Sequence, residues 1–258
     1  IEGEQITVSD LLYGLMLESG NDAATALAIA AGGTVEHFVA MMNERAAELG
    51  LEDTHFSNPH GLSADDHYTT AYDLARLTCA ALENETFAEI VSCKTKTISD
   101  GKRYLSNHNR LLRSYEGCIG VKTGFTDDAG RCLVSAAERG GMTLICVTLN
   151  AQDDWNLHAS LYDKCFESYS MTPLPDIPSS ITLAGDKLQE NGIESELMLK
   201  PAYEASVPLK AGESARLTAT VLCEPFAYAP AQPGRVYAQT LFSLDGYPLC
   251  SVPMVASS

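Results

Sequence analysis

Three prolines within seven residues, Pro173, Pro175 and Pro178, divide this sequence into two parts with different patterns. Proline fixes φ and donates no backbone N–H, so this stretch is expected to form a stiff connection. Before it, apolar residues recur at both helical and alternating spacing. After it, short alternating segments are separated by Gly, Pro and Asn. The sequence therefore predicts an α/β (α+β) domain over residues 1–171 and a small all-β domain, a sandwich or barrel, over residues 172–258.

Apolar periodicity within the first part predicts five helices, each preceded or begun by a polar capping residue: Ser9, Asn21, Thr34, Thr70 and Asp153. Alternating segments predict strands over 93–98 and 102–105 around an Asp-Gly turn, and over 117–124, 130–138 and 142–149. The last helix is expected to cover the sheet formed by these strands.

The link between the first two predicted helices, Ser19-Gly20-Asn21, carries the first chemical signal. Such a link presents a hydroxyl and an amide on a rigid support, which suits a catalytic site. The same residues also suit a simple cap and turn, so the tripeptide alone fits either interpretation. A second tripeptide, Lys122-Thr123-Gly124, follows on a predicted strand, where Gly124 leaves room for a ligand backbone to approach closely.

Serine enzymes that react with penicillin carry three signatures, Ser-x-x-Lys, Ser-x-Asn and Lys-Thr-Gly, in that order. The second and third stand here at residues 19–21 and 122–124. A Ser-x-x-Lys match at Ser99-Asp100-Gly101-Lys102 is rejected as the nucleophile. It lies on the predicted Asp-Gly turn, where Ser and Lys do not share a helical turn, and it follows Ser-x-Asn instead of preceding it.

With their flanking blocks, these motifs resemble the low-molecular-mass penicillin-binding proteins, the serine-type D-alanyl-D-alanine carboxypeptidases. The blocks stand in family order at 19–24, 49–56, 58–62 and 121–126, and the β-rich part after the prolines resembles the family's C-terminal domain. The resemblance implies a β-lactamase/DD-peptidase-like fold. It also implies an enzyme of peptidoglycan maturation that removes terminal D-Ala from stem peptides and is captured by β-lactam antibiotics. The implied location is extracytoplasmic, in the periplasm or at the cell surface, with the full-length protein membrane-associated.

The resemblance assigns catalytic roles to Ser19, Asn21 and Lys122. Ser19 would relay a proton to the leaving D-Ala amine, and Lys122 would keep Ser19 reactive. Asn21 would orient the lysine of Ser-x-x-Lys and bind the substrate backbone.

Substrate binding is expected at Lys122, Thr123, Gly124 and Phe125. The ammonium of Lys122 and the hydroxyl of Thr123 suit a terminal carboxylate. The backbone N–H of Phe125 would form half of the oxyanion hole. No cofactor and no metal ion is implied.

The Ser-x-x-Lys signature is not found where the resemblance requires it, because only eighteen residues precede Ser19 and none of them forms it. We interpret the sequence as an N-terminally truncated fragment and expect that it does not form an acyl-enzyme alone. Without the central helix, an apolar trough is predicted beside Ser19, covered by rearranged strands or by a second copy in a homo-oligomer.

Two other functions remain open at this point. A β-lactamase-like hydrolase would need a deacylating carboxylate between Ser19 and Lys122, for which Glu83, Glu85 and Glu116 are available. A non-catalytic peptidoglycan-binding protein would keep the fold of a decayed enzyme domain.

Composition excludes some partners and leaves others open. The net charge of −17 argues against nucleic acid and anionic lipid. No apolar run of ~18 residues predicts a membrane span. The histidines His55, His60 and His67 lack the i, i+4 spacing of a helical metal site, which favours loop packing. The eight cysteines form no Cys-x-x-Cys motif and mostly lie in apolar runs, which favours buried thiols over disulfides.

Overall fold

The computed structural model describes residues 3–184, 195–223, 226–228 and 230–257. Its contacts divide the chain into two compact units, Ile1–Cys165 and Phe166–Ser258. The boundary predicted at 171/172 lies within a strand, Tyr169–Pro173, which pairs with Ser206–Lys210 inside the second unit. Proline is tolerated at the end of an edge strand, so Pro173 closes a strand while the prolines after it lie outside that strand.

The described part of the chain forms seven α-helices: α1 (Val8–Glu18), α2 (Asn21–Gly32), α3 (Val35–Glu48), α4 (Ala71–Leu82), α5 (Glu85–Ser92), α6 (Leu111–Ser114) and α7 (Asp154–Ser168). The predicted caps of α3 and α4 are confirmed, because Thr34 Oγ1 accepts from His37 N and Thr70 Oγ1 accepts from Asp73 N, each at 3.1 Å. The predicted cap of α1 is wrong. Thr7, not Ser9, accepts from Asp10 N at 3.0 Å, and the helix begins one residue earlier.

Five strands belong to the first unit, and all lie where alternation predicts them. A hairpin pairs β1 (Thr95–Ile98) with β2 (Arg103–Ser106). An antiparallel sheet has the order β3 (Cys118–Thr126), β4 (Gly130–Arg139), β5 (Met142–Thr148). The register of β3 with β4 places Lys122 opposite Val134 and Phe125 opposite Arg131.

Two small apolar clusters hold the helices against these strands. Tyr13 and Leu17 of α1 pack with Ile90 of α5 and with Ile98 and Leu105 of the hairpin. On the other side of α5, fully buried Val91 packs with Val121 of β3 and Ala136 of β4. Through α5, these clusters connect the end of α1 to strand β3.

The second unit contains eight strands among the residues described there: β6 (Tyr169–Pro173), β7 (Ser179–Ala184), β8 (Ser195–Pro201), β9 (Ser206–Lys210), β10 (Leu217–Cys223), β11 (Phe226–Tyr228), β12 (Val236–Leu244) and β13 (Tyr247–Ala256). Six form one sheet in the order β10-β12-β13-β8-β7-β11, and β6 pairs with β9. Buried Ile181, Leu199, Tyr237 and Met254 form its core. The all-β prediction for this part is confirmed over the described residues. Residues 185–194, which fall within the predicted domain, lie outside them.

The cysteines differ from their predicted burial. All eight are free thiols; Cys79 and Cys223 are exposed and the other six are half-buried. An apolar run along a helix or an edge strand also places residues on the outward face, so membership in such a run did not predict burial here.

Length and hydropathy do not mark any single described helix as able to cross a membrane. Only α2 and α3 taken together meet both requirements, and the two helices meet at an angle of 84°.

Candidate active site

Ser19 lies at the turn between α1 and α2. It caps α1 in the left-handed region, with φ 56° and ψ 41°, a conformation that costs a non-glycine residue about 1 kcal/mol. Gly20 is extended and closely surrounded: a Cβ on it would lie 3.2 Å from Asp22 Oδ1 and 3.3 Å from both Ala23 Cβ and Gly14 O. The sharp turn therefore belongs to Ser19, while Gly20 allows the close packing.

Lys122 comes from β3 and reaches the end of α1. Its Nζ donates a hydrogen bond to Ser19 Oγ, 103 residues away in sequence, and another to Thr123 O at 2.8 Å. An ammonium carries three donors, so one N–H of Lys122 is left for a ligand.

Burial lowers the pKa of Lys122 from its ordinary value to about 8. With that pKa, roughly one lysine in ten is a neutral amine at pH 7. The same side chain therefore supplies a cation for an anionic ligand and an ammonium that gives up a proton more readily than an ordinary lysine does.

A cavity of about 350 Å³ opens beside this pair, and Ser19, Thr123, Gly124 and Phe125 all contribute to its wall. The side chain of Phe125 is 67% exposed. A Cβ on Gly124 would lie 3.8 Å from Cys132 Cβ, an ordinary contact, so packing within the chain does not require a glycine here. Close approach of a ligand backbone along the cavity remains the physical reason to predict a glycine at this position.

Asn21 begins α2 and is exposed, and its backbone O accepts from Thr25 Oγ1 at 3.0 Å. It is two residues from Ser19 but does not belong to the wall of this cavity in the described structure. The structure thus brings Ser19 together with Lys122, Thr123, Gly124 and Phe125. The roles assigned to these residues and to Asn21 stay predictions.

Six residues that sequence reasoning missed also line the cavity: His108, Arg110, Arg131, Cys132, Asp154 and Trp155. Asp154, whose side chain is only 3% exposed, accepts two hydrogen bonds from Arg131 Nη2, at 2.7 and 2.9 Å. The sequence predicts strands over 117–124 and 130–138 without a register, and the observed pairing places Arg131 opposite Phe125, next to the Lys-Thr-Gly segment. No comparable signal marked His108 or Arg110.

A second cavity of about 370 Å³ lies where the sequence predicts a trough beside Ser19, because Glu18 and Gly20 both line it. About half of the residues in its walls are apolar: Ile6, Leu11, Ala23, Ala26, Ile98 and Leu105. Charged groups share it, including Glu4, whose Oε2 accepts from Arg103 Nη2 at 2.8 Å. The trough is therefore mixed in character, not apolar throughout.

The Ser-x-x-Lys match at residues 99–102 lies on the turn between β1 and β2. Ser99, Asp100 and Gly101 have successive positive φ angles of 54°, 53° and 88°, so no helical turn joins Ser99 to Lys102. Ser99 Oγ accepts from Arg103 Nη1 at 3.0 Å. The rejection of this match as a nucleophile agrees with the geometry.

The three glutamates considered for a β-lactamase-like reaction are exposed and do not contribute to the described wall of the cavity at Ser19: Glu83, Glu85 and Glu116. Glu83 and Glu85 flank the junction of α4 and α5.

The loop histidines are held by their own loop. His55 Nδ1 donates to Asp66 O at 2.6 Å, and His67 Nδ1 accepts from Ser57 N at 3.1 Å. Within the residues that the structure describes, no group of three or more His, Cys, Asp or Glu has the arrangement of a metal site.

A family model and individual relatives both match this chain, and they point to the same family. The model of the D-alanyl-D-alanine carboxypeptidase family, peptidase S11, matches residues 1–153. The chain is 33% identical to D-alanyl-D-alanine carboxypeptidase DacF of Bacillus subtilis over 98% of its length and 66% of the relative. It is 35% identical to DacC of Escherichia coli over 98% of its length and 64% of that relative. The chain thus spans about two thirds or less of the curated relatives it matches.

Solved structures agree with these matches. Penicillin binding protein 5 from Haemophilus influenzae superposes with a TM-score of 0.77 at 27% identity, over 99% of this chain and 75% of that one. A serine-to-alanine mutant of the Streptomyces K15 DD-transpeptidase superposes with a TM-score of 0.61 at 37% identity, over 65% of this chain and 71% of that one.

Proposed function

This chain belongs to the D-alanyl-D-alanine carboxypeptidase family, and from that premise we propose that its cavity binds the D-Ala-D-Ala end of peptidoglycan stem peptides. In the intact protein the terminal D-Ala is removed through a serine acyl-enzyme. The observation that carries the proposal is the contact of Lys122 Nζ with the Oγ of Ser19, which lines the same cavity as Thr123.

The terminal carboxylate of the peptide binds Lys122 and Thr123. The remaining N–H of Lys122 and the hydroxyl of Thr123 donate to its two oxygens, and charge-assisted bonds of this kind are among the strongest in proteins. Gly124 leaves room for the peptide backbone beside β3. The N–H of Phe125 donates to the carbonyl oxygen of the bond to be cleaved.

Ser19 and Lys122 move the proton that the leaving group needs. The Lys122 ammonium donates its hydrogen bond to Ser19 Oγ. As the Ser19 hydroxyl passes its proton to the amine of the departing D-Ala, Ser19 Oγ takes a proton from Lys122, which is left as a neutral amine. The lowered pKa of Lys122 supports this step, because it places the charged and neutral forms within reach of each other near neutral pH. Asn21 orients the lysine of Ser-x-x-Lys.

Residues 1–258 alone do not supply the nucleophile. Their Ser-x-x-Lys match lies on the β1–β2 turn, so this chain binds penicillin and D-Ala-D-Ala peptides reversibly and forms no acyl-enzyme. A second copy of the chain covers the 370 Å³ trough next to Ser19 and buries its apolar wall. In sedimentation velocity we expect a dimer; a monomer at all accessible concentrations would contradict this part of the proposal.

Because peptidoglycan is assembled outside the cytoplasmic membrane, the proposed reaction places the intact protein in the periplasm or at the cell surface, associated with the membrane. β-Lactam antibiotics, which present a carboxylate beside a reactive amide, bind the same cavity.

The proposal is tested by incubating the 258-residue chain with benzylpenicillin. Intact mass spectrometry is expected to show no adduct, while the fluorescence of Trp155 changes on reversible binding, since this residue lines the cavity. Replacing Lys122 with Met should abolish most of the fluorescence change. A covalent adduct, or benzylpenicillin binding that is unchanged in Lys122→Met, would contradict the proposal.

A further inference from the structure

Arg110 contributes an exposed guanidinium to the cavity at Ser19. Within the described structure, that guanidinium has neither a hydrogen bond nor an ion pair. The cavity's two other basic side chains are engaged. His108 Nε2 lies 3.1 Å from Glu18 Oε2, and Arg131 is bound by Asp154.

A nearby arginine, on the short helix that begins directly after Arg110, has a structural role. Arg113 donates to Asn107 O at 3.0 Å, to Lys94 O at 2.7 Å and to Ser106 Oγ at 3.1 Å. Its guanidinium therefore ties α6 to the β1–β2 hairpin. Arg110, three residues earlier, makes no such bond.

The backbone that carries Arg110 is firmly held. Fully buried Asn109 donates its N–H to Asn107 Oδ1 at 2.9 Å, and its own Oδ1 accepts from Leu111 N at 3.1 Å. Leu111 and Leu112 are buried at 1% and 4% exposure. Arg110 is thus presented from a fixed point, so less conformational freedom of the backbone is lost when a ligand binds it.

The charge of Arg110 is unusual in its setting. The protein carries a net charge of −17, and an exposed arginine on such a surface commonly meets a carboxylate of its own chain. In a concave site, an unpaired cation raises the local concentration of anions. In the proposed function, Lys122 and Thr123 bind the terminal carboxylate, and Arg110 has no assigned role.

We infer that Arg110 binds a second carboxylate of the ligand, on the acyl side of the D-Ala-D-Ala bond. The preferred substrates are then acidic peptides that end in D-Ala-D-Ala, and Arg110 is a specificity-determining residue. The inference rests on the proposed function, because the peptide must first lie in this cavity.

Two synthetic peptides test it. Both end in D-Ala-D-Ala, and they differ only in one side chain upstream, which is a carboxylate in the acidic peptide and a carboxamide in the neutral peptide. Affinities are measured from Trp155 fluorescence at low ionic strength for the wild-type chain and for Arg110→Gln. Lys164→Gln is the matched control, because Lys164 is exposed on α7 outside the cavity wall and its loss changes the net charge equally.

The wild-type chain should bind the acidic peptide about five- to ten-fold more tightly than the neutral one. Arg110→Gln should reduce that ratio to about one without changing the affinity for the neutral peptide, while Lys164→Gln keeps the ratio. Equal binding of both peptides by the wild-type chain, or a ratio that survives Arg110→Gln, overturns the inference and leaves the proposed function standing. If neither peptide binds, the proposed function fails and the inference falls with it.

Discussion

Among the described residues of the first unit, two serine hydroxyls contact a lysine or histidine nitrogen, and these two pairs differ in access. Lys122 donates to exposed Ser19 at the edge of a cavity. Ser135 of β4 and His158 of α7 are both completely buried, with Ser135 Oγ 2.7 Å from His158 Nδ1. Sequence analysis found the first pair through its motifs and missed the second.

The histidine of the buried pair has no ring nitrogen left for a ligand. Tyr162 Oη lies 2.6 Å from Ser135 Oγ, and Thr148 Oγ1 lies 2.9 Å from His158 Nε2. Both ring nitrogens of His158 are engaged, whereas Lys122 retains one donor. Burial lowers the pKa of His158 to about 4 and that of Lys122 to about 8. A lowered pKa therefore does not by itself mark a catalytic group; access and an unused donor separate the two pairs.

The largest expected effect comes from breaking the buried pair with His158→Ala. The change leaves a cavity and removes the hydrogen-bond partner of buried Ser135 Oγ and of half-buried Thr148 Oγ1, so the free energy of unfolding should fall by about 3–4 kcal/mol. Urea denaturation followed by Trp155 fluorescence measures it. The matched change at the open pair, Ser19→Ala, should alter the free energy of unfolding by less than about 1 kcal/mol. Similar losses of unfolding free energy in His158→Ala and Ser19→Ala would contradict this difference between the buried and the open pair.

The pH dependence of the free energy of unfolding should also reveal the buried pair, through the pKa of His158. Because the folded state lowers the pKa of His158 from 6.5 to about 4, the unfolded chain binds a proton more readily in that interval. The free energy of unfolding should therefore decrease as the pH falls from 6.5 to 4, by up to about 3 kcal/mol from this group.

The contribution of His158 to that pH dependence is isolated by His158→Gln, since carboxylates also titrate near pH 4. The wild-type curve minus the His158→Gln curve should slope through this interval. A difference that stays flat would mean that the histidine is protonated in the folded protein.

Changes at the buried pair should lower stability, whereas Lys122→Met at the open pair should weaken ligand binding and leave stability intact. Affinity for the neutral D-Ala-D-Ala peptide should fall ten- to hundred-fold, which is about 1.5–3 kcal/mol for a bond to a charged group. The free energy of unfolding should stay the same or increase, because the change removes a partly buried ammonium whose pKa burial alone shifts. Isothermal titration and urea denaturation of the same preparation give both values. A loss of stability without loss of binding would make Lys122 a structural residue.

Local patterns predicted the parts of the fold that depend on neighbouring residues. Capping by Thr34 and Thr70 and the turn at Asp100-Gly101 are set within a few residues, and the structure has them. Helix α5 was not predicted, since its eight residues are too few for a clear period. The Ser135–His158 contact was out of reach because it joins a strand to a helix that packs on it.

The residues of the candidate site also divide into those that the sequence predicted and those that only the structure shows. Ser19 and Lys122 were found as motifs, although 103 residues separate them. Arg131 lies near the start of a predicted strand, but its position opposite Phe125 depends on a register that the sequence did not predict. Arg110 was not found, because a single arginine beside a four-residue helix repeats no pattern. Only the structure shows that it lines the cavity without a partner among the described residues.

The smallest expected effect is the pH dependence of ligand binding at the open pair. With a pKa of about 8, Lys122 loses most of its charge between pH 7 and 8.5, so affinity for a terminal carboxylate should decrease about four-fold over that range. Lys122→Arg keeps its charge throughout and should bind with nearly constant affinity. Thr148→Val, which removes a hydrogen bond from the buried pair, should leave the wild-type profile unchanged. If Thr148→Val instead changed the pH profile of ligand binding, the buried pair would influence the protonation of Lys122. The two pairs would then act as one coupled site.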